Sequence, residues 1–288
     1  GVLLLPATLG MAVAQLNIFI SNILASYLPQ GSITYLYYAM RLIQFPIGIF
    51  GVAMGVAVLP ALSEHAARGE TERLREDFSY ALRLLFFITV PAMAGLIALR
   101  GPIVNLLFLR GRFDEVAAAG TAQALLCYAF GIWAVVGVRV VASTFYALQD
   151  TRTPVRVGMA SIAVNLALSL ALMGPLAHAG LALANACASM ANFTVLFFLL
   201  RRRLGRIEAG RIVRSLLRTT AAAVLMGLAG WALLRGPLWE AGGHTALKAL
   251  VFAGTAALCG AVYLGSSRLL GSEELGTVLA LARRRVNR

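Results

Sequence analysis

The sequence predicts an all-α, polytopic membrane protein with about eight transmembrane helices. Hydrophobic residues make up 60% of the chain and charged residues 13%, where soluble domains run at about 45–50% and about 25%. A single core of 288 residues does not hide that much apolar surface from water, so lipid is the solvent that fits. The apolar residues also fall into runs of about 20, the length a helix needs to cross a bilayer at 1.5 Å per residue.

Taken in order, the runs place spans over 3–28, 33–61, 80–99, 120–147, 156–174, 179–200, 213–234 and 247–267. Turn-forming residues separate them: Pro29-Gln30-Gly31, Gly101-Pro102, Gly174-Pro175 and Gly236-Pro237. The connection from Gly174 to Gly180 is so short that its flanking helices should form a tight antiparallel hairpin. The stretch Glu64–Asp77 mixes both signs of charge, as a solvated helical extension of the third span would. Asp114, ahead of an Ala-rich run, reads as a helix cap. Near residue 204 the composition shifts. Earlier spans contain Pro, Asn, Gln and two Arg, whereas the last two are almost purely Ala, Leu, Val and Gly. The expected organisation is residues 1–203 as a six-helix bundle and 204–288 as two further helices with a basic tail.

A net charge of +13 raises the question of nucleic acid. No RNA-binding motif or aromatic stacking platform accompanies the basic stretches, and membrane proteins collect Arg at cytoplasmic loops. Of the 25 Lys and Arg residues, Arg41 and Arg139 fall within spans, and Arg100, Arg110, Arg112, Arg235 and Lys248 fall at one set of span ends. The rest lie at the other set, which places both ends of the chain on the cytoplasmic side. The chain opens on Gly1 without a basic n-region, so no cleavable signal peptide is expected, and an upstream segment is expected to be missing. Cys127, Cys187 and Cys259 each sit inside an apolar run and read as small core hydrophobes.

Arg41 is the sharpest candidate. An arginine within a span costs at least about 2.5–3.5 kcal/mol at mid-helix, so it normally faces a water-filled cavity or an anionic partner. The structural alternative is snorkelling to the interface beside Tyr37 and Tyr38. Pro46 and Pro60 bracket a glycine-rich helix in which Gly51 and Gly55 permit close helix approach, so the segment can pack tightly and still bend. Arg139 is a second cation within a span, and no span contains Asp or Glu. An anionic substrate would supply the missing charge, and guanidinium suits phosphate through bidentate geometry. Polar amides and hydroxyls in the spans read first as interhelical hydrogen bonds. Catalytic motifs are absent: no HExxH, no GxSxG, no P-loop.

The run Gly31 to Pro46, continued through Gly48, Gly51 and Val58-Leu59-Pro60-Ala61-Leu62-Ser63, resembles the MurJ (MviN) lipid II flippase family. The stretches Phe145–Val155, with Gln149-Asp150-Thr151-Arg152-Thr153-Pro154 at its centre, and Gly174–Ala184 resemble it too, in the same order. The resemblance implies the MOP exporter fold of fourteen spans, two six-helix lobes and a final pair, with this chain as the second lobe and that pair. It implies an inner-membrane, alternating-access flippase, with lipid II (undecaprenyl-diphosphate-linked peptidoglycan precursor), membrane lipids and a first lobe as partners. It implies neither cofactor nor nucleic acid, and a role for the last two helices in guiding the lipid tail. Arg41 matches the cavity arginine that faces the diphosphate, and Arg139 a basic cavity position. Two departures stand out: Met40 where an Asp is frequent, and Gln44 at an acidic position. Gln44, Pro46, Gly51 and Gly55 are the cavity or hinge candidates. Some members hold sodium in this lobe with carboxylates; the matching positions here are Ser21, Asn165, Ser169 and Asn185, a weak cation site without a carboxylate.

Three other functions fit less well. A polysaccharide-lipid or multidrug exporter of the same superfamily is one, and the diphosphate-suited cations and extra helix pair argue against the drug exporter. A membrane enzyme acting on polyprenyl phosphates would need interfacial carboxylates, for which Asp150 and the Glu64–Asp77 cluster are the supply. A scaffold of the wall machinery would not need Arg41.

Overall fold

A short apolar helix, Asn17–Ser26 (α1), begins the computed structural model. The structure describes residues 15, 17–205, 207–239, 243 and 245–276, and for 50, 52–59 and 237 the backbone alone. Most of the first predicted span and the basic tail lie outside the described residues. Helix α2 (Ser32–Ala67) follows a turn that ends at Gly31, whose φ of 98° admits glycine readily. At 36 residues α2 is about 54 Å long, well beyond a hydrocarbon core of about 30 Å, and Pro46 and Pro60 both lie inside it.

The mixed-charge stretch behaves differently from its prediction. Glu64–Ala67 completes α2, a turn at Arg68–Glu70 reverses the chain, and only then does α3 (Thr71–Phe108) begin. Gly69, at φ 70°, ends the first helix, so the stretch is shared between two helices rather than extending one. Polar contacts bind the corner: an ion pair from Glu64 to Arg68 at 2.7 Å, and the His65 ring against Glu70 at 2.8 Å and Asp77 at 3.3 Å. Helix α3 also runs straight through Gly101-Pro102, which the sequence suggested as a break. Proline removes a single donor there, and Arg100 donates to the Ile97 carbonyl at 2.7 Å beside the gap.

Asp114 caps α4 (Glu115–Ala129) as expected, accepting from the Ala117 amide at 2.8 Å. Helix α5 (Ile132–Ala147) continues α4 after a break at Phe130-Gly131, and together they make one apolar stretch of 33 residues. The next element, α6 (Arg152–Leu204), is 53 residues long but is two limbs, because Ala177 departs from helical geometry (φ 47°, ψ −129°). The Ser161 hydroxyl donates to the Ala188 carbonyl at 3.0 Å, a contact that 27 residues of straight helix could not make. The predicted hairpin is therefore present. Gly180 allows its closure, since a Cβ there would collide with the Leu172 carbonyl.

Helices α7 (Ala209–Leu233) and α8 (Thr245–Leu269) complete the chain. Small residues seat α7 on α3: Gly227 faces Ala94 and Ala98, and Gly230 faces Leu99 and the Cys259 thiol. Tyr263 of α8 donates to the Phe87 carbonyl of α3 at 2.5 Å. At the far end Lys248, counted from sequence among the cations at span ends, is buried, with the Asn105 amide oxygen among its partners at 2.7 Å. Asn105 in turn donates to the Trp239 carbonyl at 2.6 Å. The start of α8 is pressed onto the end of α3, and the long lysine stem is enclosed there.

The core centres on Phe78, Leu82, Leu85, Ile132, Val136, Phe145, Leu196 and Leu200, drawn from α3, α5 and α6. It is continuous with Met226, Cys259 and Tyr263 of the final pair. Large apolar side chains also cover the outside, among them Phe45, Leu217, Leu225, Leu228 and Leu250. Among the described residues five elements are long and apolar enough to cross a membrane, α4 with α5 counting as one of them and α6 in its two limbs as another. An apolar exterior over an apolar core is the pattern of a chain solvated by lipid.

Candidate functional site

Helix α2 has two unlike faces. Leu36, Ala39, Ile43, Pro46 and Ile47 are buried against the bundle, while Tyr37, Arg41, Gln44, Phe45 and Gly48 lie on the opposite, exposed side. At 100° per residue Tyr37, Arg41, Gln44, Gly48 and Gly51 fall along one stripe. A stripe holding Arg, Gln and Gly within a membrane span is not a lipid-facing surface by composition.

Arg41 projects from the middle of that face. One guanidinium nitrogen donates to the Tyr37 hydroxyl at 2.8 Å, the other to the Gln44 side-chain oxygen at 3.4 Å. Its carbon lies 4.9 Å from the centre of the Tyr37 ring, a cation–π contact. Both partners are neutral, so the arginine keeps its full charge. Tyr38 does not share in this; it packs on Phe108 and Phe113. Tyr37 sits one helical turn before Arg41, and that four-residue spacing is the signal by which sequence could have paired them.

Arg139 reaches the same stripe from α5. A Cβ added at Gly51 would lie 2.6 Å from the Arg139 Nη1 and 3.3 Å from its Cζ, so the guanidinium rests directly on the α2 backbone. Two residues singled out separately, Gly51 and Arg139, are thus one contact. Arg139 is exposed and engages no acceptor among the described residues. Ten residues of α2 separate Arg41 from Gly51, so the two cations are placed about 15 Å apart along the helix. Pro46, between them, is buried and helical. Gly55 belongs to α2, but its surroundings lie outside the described residues.

The four proposed cation ligands are brought together only in part. Asn165 and Ser169 are buried one turn apart on the first limb of α6. Asn165 donates to the Asn17 side-chain oxygen of α1 at 2.7 Å, while its own Oδ1 and the Ser169 hydroxyl have no partner. Asn185 is engaged through its carbonyl by Ser189, and Ser21 lies one turn beyond Asn17. Asn17 is the participant that sequence reasoning left out of the set. It also lines, with Ser161, Ser189 and Asn192, a cavity of about 290 Å³ between α1, α5 and α6. Two orphaned neutral oxygens without a carboxylate make a weak cation site. No cluster of three or more His, Cys, Asp or Glu occurs among the described residues.

Most of the carboxylates the sequence offered an enzyme are engaged in ion pairs or hydrogen bonds. Asp150 accepts from the Thr153 amide at 3.0 Å, the Thr153 hydroxyl at 2.8 Å and Arg203 at 2.6 Å. Burial pushes its carboxyl up, but these donors outweigh burial and hold it below the usual aspartate range. The Gln149–Pro154 stretch thus starts α6 and ties it to its own far end. Glu70, held below its ordinary value chiefly by the His65 hydrogen bond, also pairs with Arg73, and Glu72 pairs with Arg75.

Residues 2–249 match a family model described as "Lipid II flippase MurJ". A protein of Vibrio cholerae serotype O1 described as a probable lipid II flippase MurJ is 34% identical over 195 residues, covering 68% of this chain and 37% of its own. Its counterpart in Haemophilus influenzae is 33% identical over 241 residues, covering 80% of this chain and 46% of its own. The chain therefore spans less than half the length of these relatives. Among solved structures, a lipid II flippase MurJ in an inward closed conformation superposes with a TM-score of 0.73 at 22% identity, over 90% of this chain and 53% of that one. A MOP superfamily transporter from Pyrococcus furiosus superposes at 0.60 with 15% identity, over 92% of this chain and 61% of that one. At these identities the superpositions establish a shared fold.

Proposed function

The chain belongs to the lipid II flippase MurJ family, and from that premise we propose that it is the second lobe and final helix pair of a flippase for undecaprenyl-diphosphate-linked peptidoglycan precursor. The lobe would be residues 1–203 and the pair 204–288, in the inner membrane, with both ends of the chain cytoplasmic. The single observation that carries the reading is the exposed, one-signed stripe of α2, where Arg41 has only neutral partners and Arg139 rests on Gly51.

A diphosphate approaching that stripe meets two cations that carry their full charge. Arg41 would exchange its weak bonds to Tyr37 and Gln44 for charge-assisted, bidentate bonds to phosphate oxygens. Arg139, about 15 Å further along α2, would hold the same group at a second depth. The first lobe would close the opposite side, and rocking of one lobe against the other would open the cavity to each leaflet in turn. Pro46 and the glycines at 48, 51 and 55 would let α2 bend during that motion. Asn165 and Ser169, with Asn17, would be the residues to hold a monovalent cation, whose charge would couple ion binding to the packing of α1 on α6.

The test uses the full-length protein. Expressed in cells depleted of their own flippase, it should restore growth and the appearance of lipid II on the outer leaflet. Normal membrane levels with no outer-leaflet lipid II would refute the assignment.

A further inference from the structure

Away from the stripe, the arginine-rich end of the molecule holds a second concentration of cations. A cavity of about 220 Å³ there is lined by Arg83 of α3, by Arg211, Arg214, Ser215 and Arg218 of α7, and by Glu273 and Glu274 after α8. The charges inside it do not cancel. Arg83, 13% exposed, donates to Glu273 at 2.8 Å and Glu274 at 3.2 Å. Glu274 also accepts from the hydroxyls of Ser215 and Ser272, each at 2.9 Å. The Arg83 hydrogen bond holds the Glu273 carboxyl below its usual range, so it is ionised at neutral pH. Arg211 is taken up by Glu208 at 2.9 Å. That leaves Arg218, whose only acceptor among the described residues is the Gly271 carbonyl at 2.7 Å, and Arg214, which has none among them. The buried Nε of Arg83 is without a partner as well.

We propose that this cavity binds the phosphate of an anionic membrane phospholipid, held by Arg214 and Arg218 between α3, α7 and the turn after α8. Arg214, with no acceptor among the described residues, and Arg218, bound only to a backbone carbonyl, match one phosphate in charge and geometry. The same chemistry would admit free phosphate, but the helix favours a lipid. On α7 the exposed residues Leu217, Leu225 and Leu228 lie toward the side of the helix that carries Arg214 and Arg218, within about 60° of Arg214 and about 100° of Arg218 at 100° per residue. A headgroup on the arginines would therefore lay its acyl chains along this leucine stripe. Such a lipid would brace the final helix pair against α3 at a site distinct from the α2 stripe, so its presence does not depend on the substrate assigned there.

The test is lipid binding by the full-length protein in detergent. Native mass spectrometry counts retained lipid, and a thermal-shift titration measures apparent affinity, with phosphatidylglycerol, phosphatidylcholine and inorganic phosphate as probes. Phosphatidylglycerol is expected to bind preferentially. The double variant Arg214→Gln/Arg218→Gln should weaken it roughly thirtyfold, and Arg214→Gln alone about fivefold. The variant Arg201→Gln/Arg202→Gln, at the same end on α6, should bind as the parent does. Undiminished binding in both Arg214 variants would overturn the proposal, as would an equal loss in the α6 control. Stabilisation by inorganic phosphate equal to that by phosphatidylglycerol would overturn the lipid as occupant.

Discussion

Replacing Arg41 with alanine separates a functional cation from a structural one, because the structure assigns the two roles different costs. The side chain is exposed and its partners are the Tyr37 hydroxyl and Gln44 amide, both neutral and both on the exposed face. Removing it strands no buried group, so the fold should lose no more than about 0.5–1 kcal/mol. Binding is another matter. Two charge-assisted bonds to a diphosphate contribute about 1.5–3 kcal/mol each. The bonds to Tyr37 and Gln44 given up in exchange offset about 1–2 kcal/mol of that. The net loss is about 2–4 kcal/mol, roughly thirty- to a thousandfold in substrate affinity. Arg41→Lys should fall between, since the charge remains and the fork does not. The assay is complementation of flippase-depleted cells by the full-length protein, with membrane levels measured alongside. Arg41→Ala at parental levels supporting normal growth would show that this arginine does not hold the substrate.

Three other perturbations probe the geometry. Gly51→Val places a Cβ where the Arg139 guanidinium lies, at 2.6 Å; that exposed side chain swings aside, so the melting temperature should shift little while complementation falls. Parental complementation by Gly51→Val would remove the Gly51–Arg139 contact from the mechanism. Gly180→Val meets a backbone carbonyl that cannot move aside, and should cost about 2–4 kcal/mol, read as a lowered unfolding temperature of the purified protein; an unchanged temperature would contradict the hairpin packing. Asp150 has a folded pKa below the ordinary aspartate value, so its stabilisation is present above that ordinary value and lost as pH falls through the lowered one. Asp150→Asn should therefore be less stable than the parent at neutral pH, with the gap closing on acidification. A gap independent of pH would mean that the carboxylate charge is not what binds Arg203.

What the sequence made legible follows the range of the forces involved. The Asp114 cap and the Gly174–Gly180 hairpin rest on contacts made within a few residues of turn, and both are found. Arg41 was legible because a charge in an apolar run is conspicuous, and its Tyr37 partner lies within one helical turn. Helix continuity at Pro102 was misjudged because one missing donor is a small loss in a 38-residue helix. The division of Glu64–Asp77 turned on one left-handed glycine. The rest depends on residues far apart in sequence: Lys248 with Asn105, Asn165 with Asn17, and Arg139 with Gly51. Each is polar or small in an apolar segment, which marks it as notable without naming its partner.

The long-range contacts bear on how the proposed lobe would present charge to a cavity without collapsing around it. A buried arginine is ordinarily stabilised by a carboxylate, and breaking such a pair costs several kcal/mol because a desolvated charge is left behind. Here every carboxylate with a basic partner among the described residues finds it at the arginine-rich end, in His65, Arg68, Arg73, Arg75, Arg83, Arg203 or Arg211, while Asp114 at the other end caps α4. The two cations on the α2 stripe are left with a phenol, an amide and a glycine backbone. An incoming anion therefore displaces weak neutral contacts rather than ion pairs, and after it leaves, Tyr37 and Gln44 can receive the guanidinium again. That asymmetry would let the proposed site bind a multiply charged headgroup and still release it. It follows from where the acidic residues lie in the fold as much as from where the arginines do.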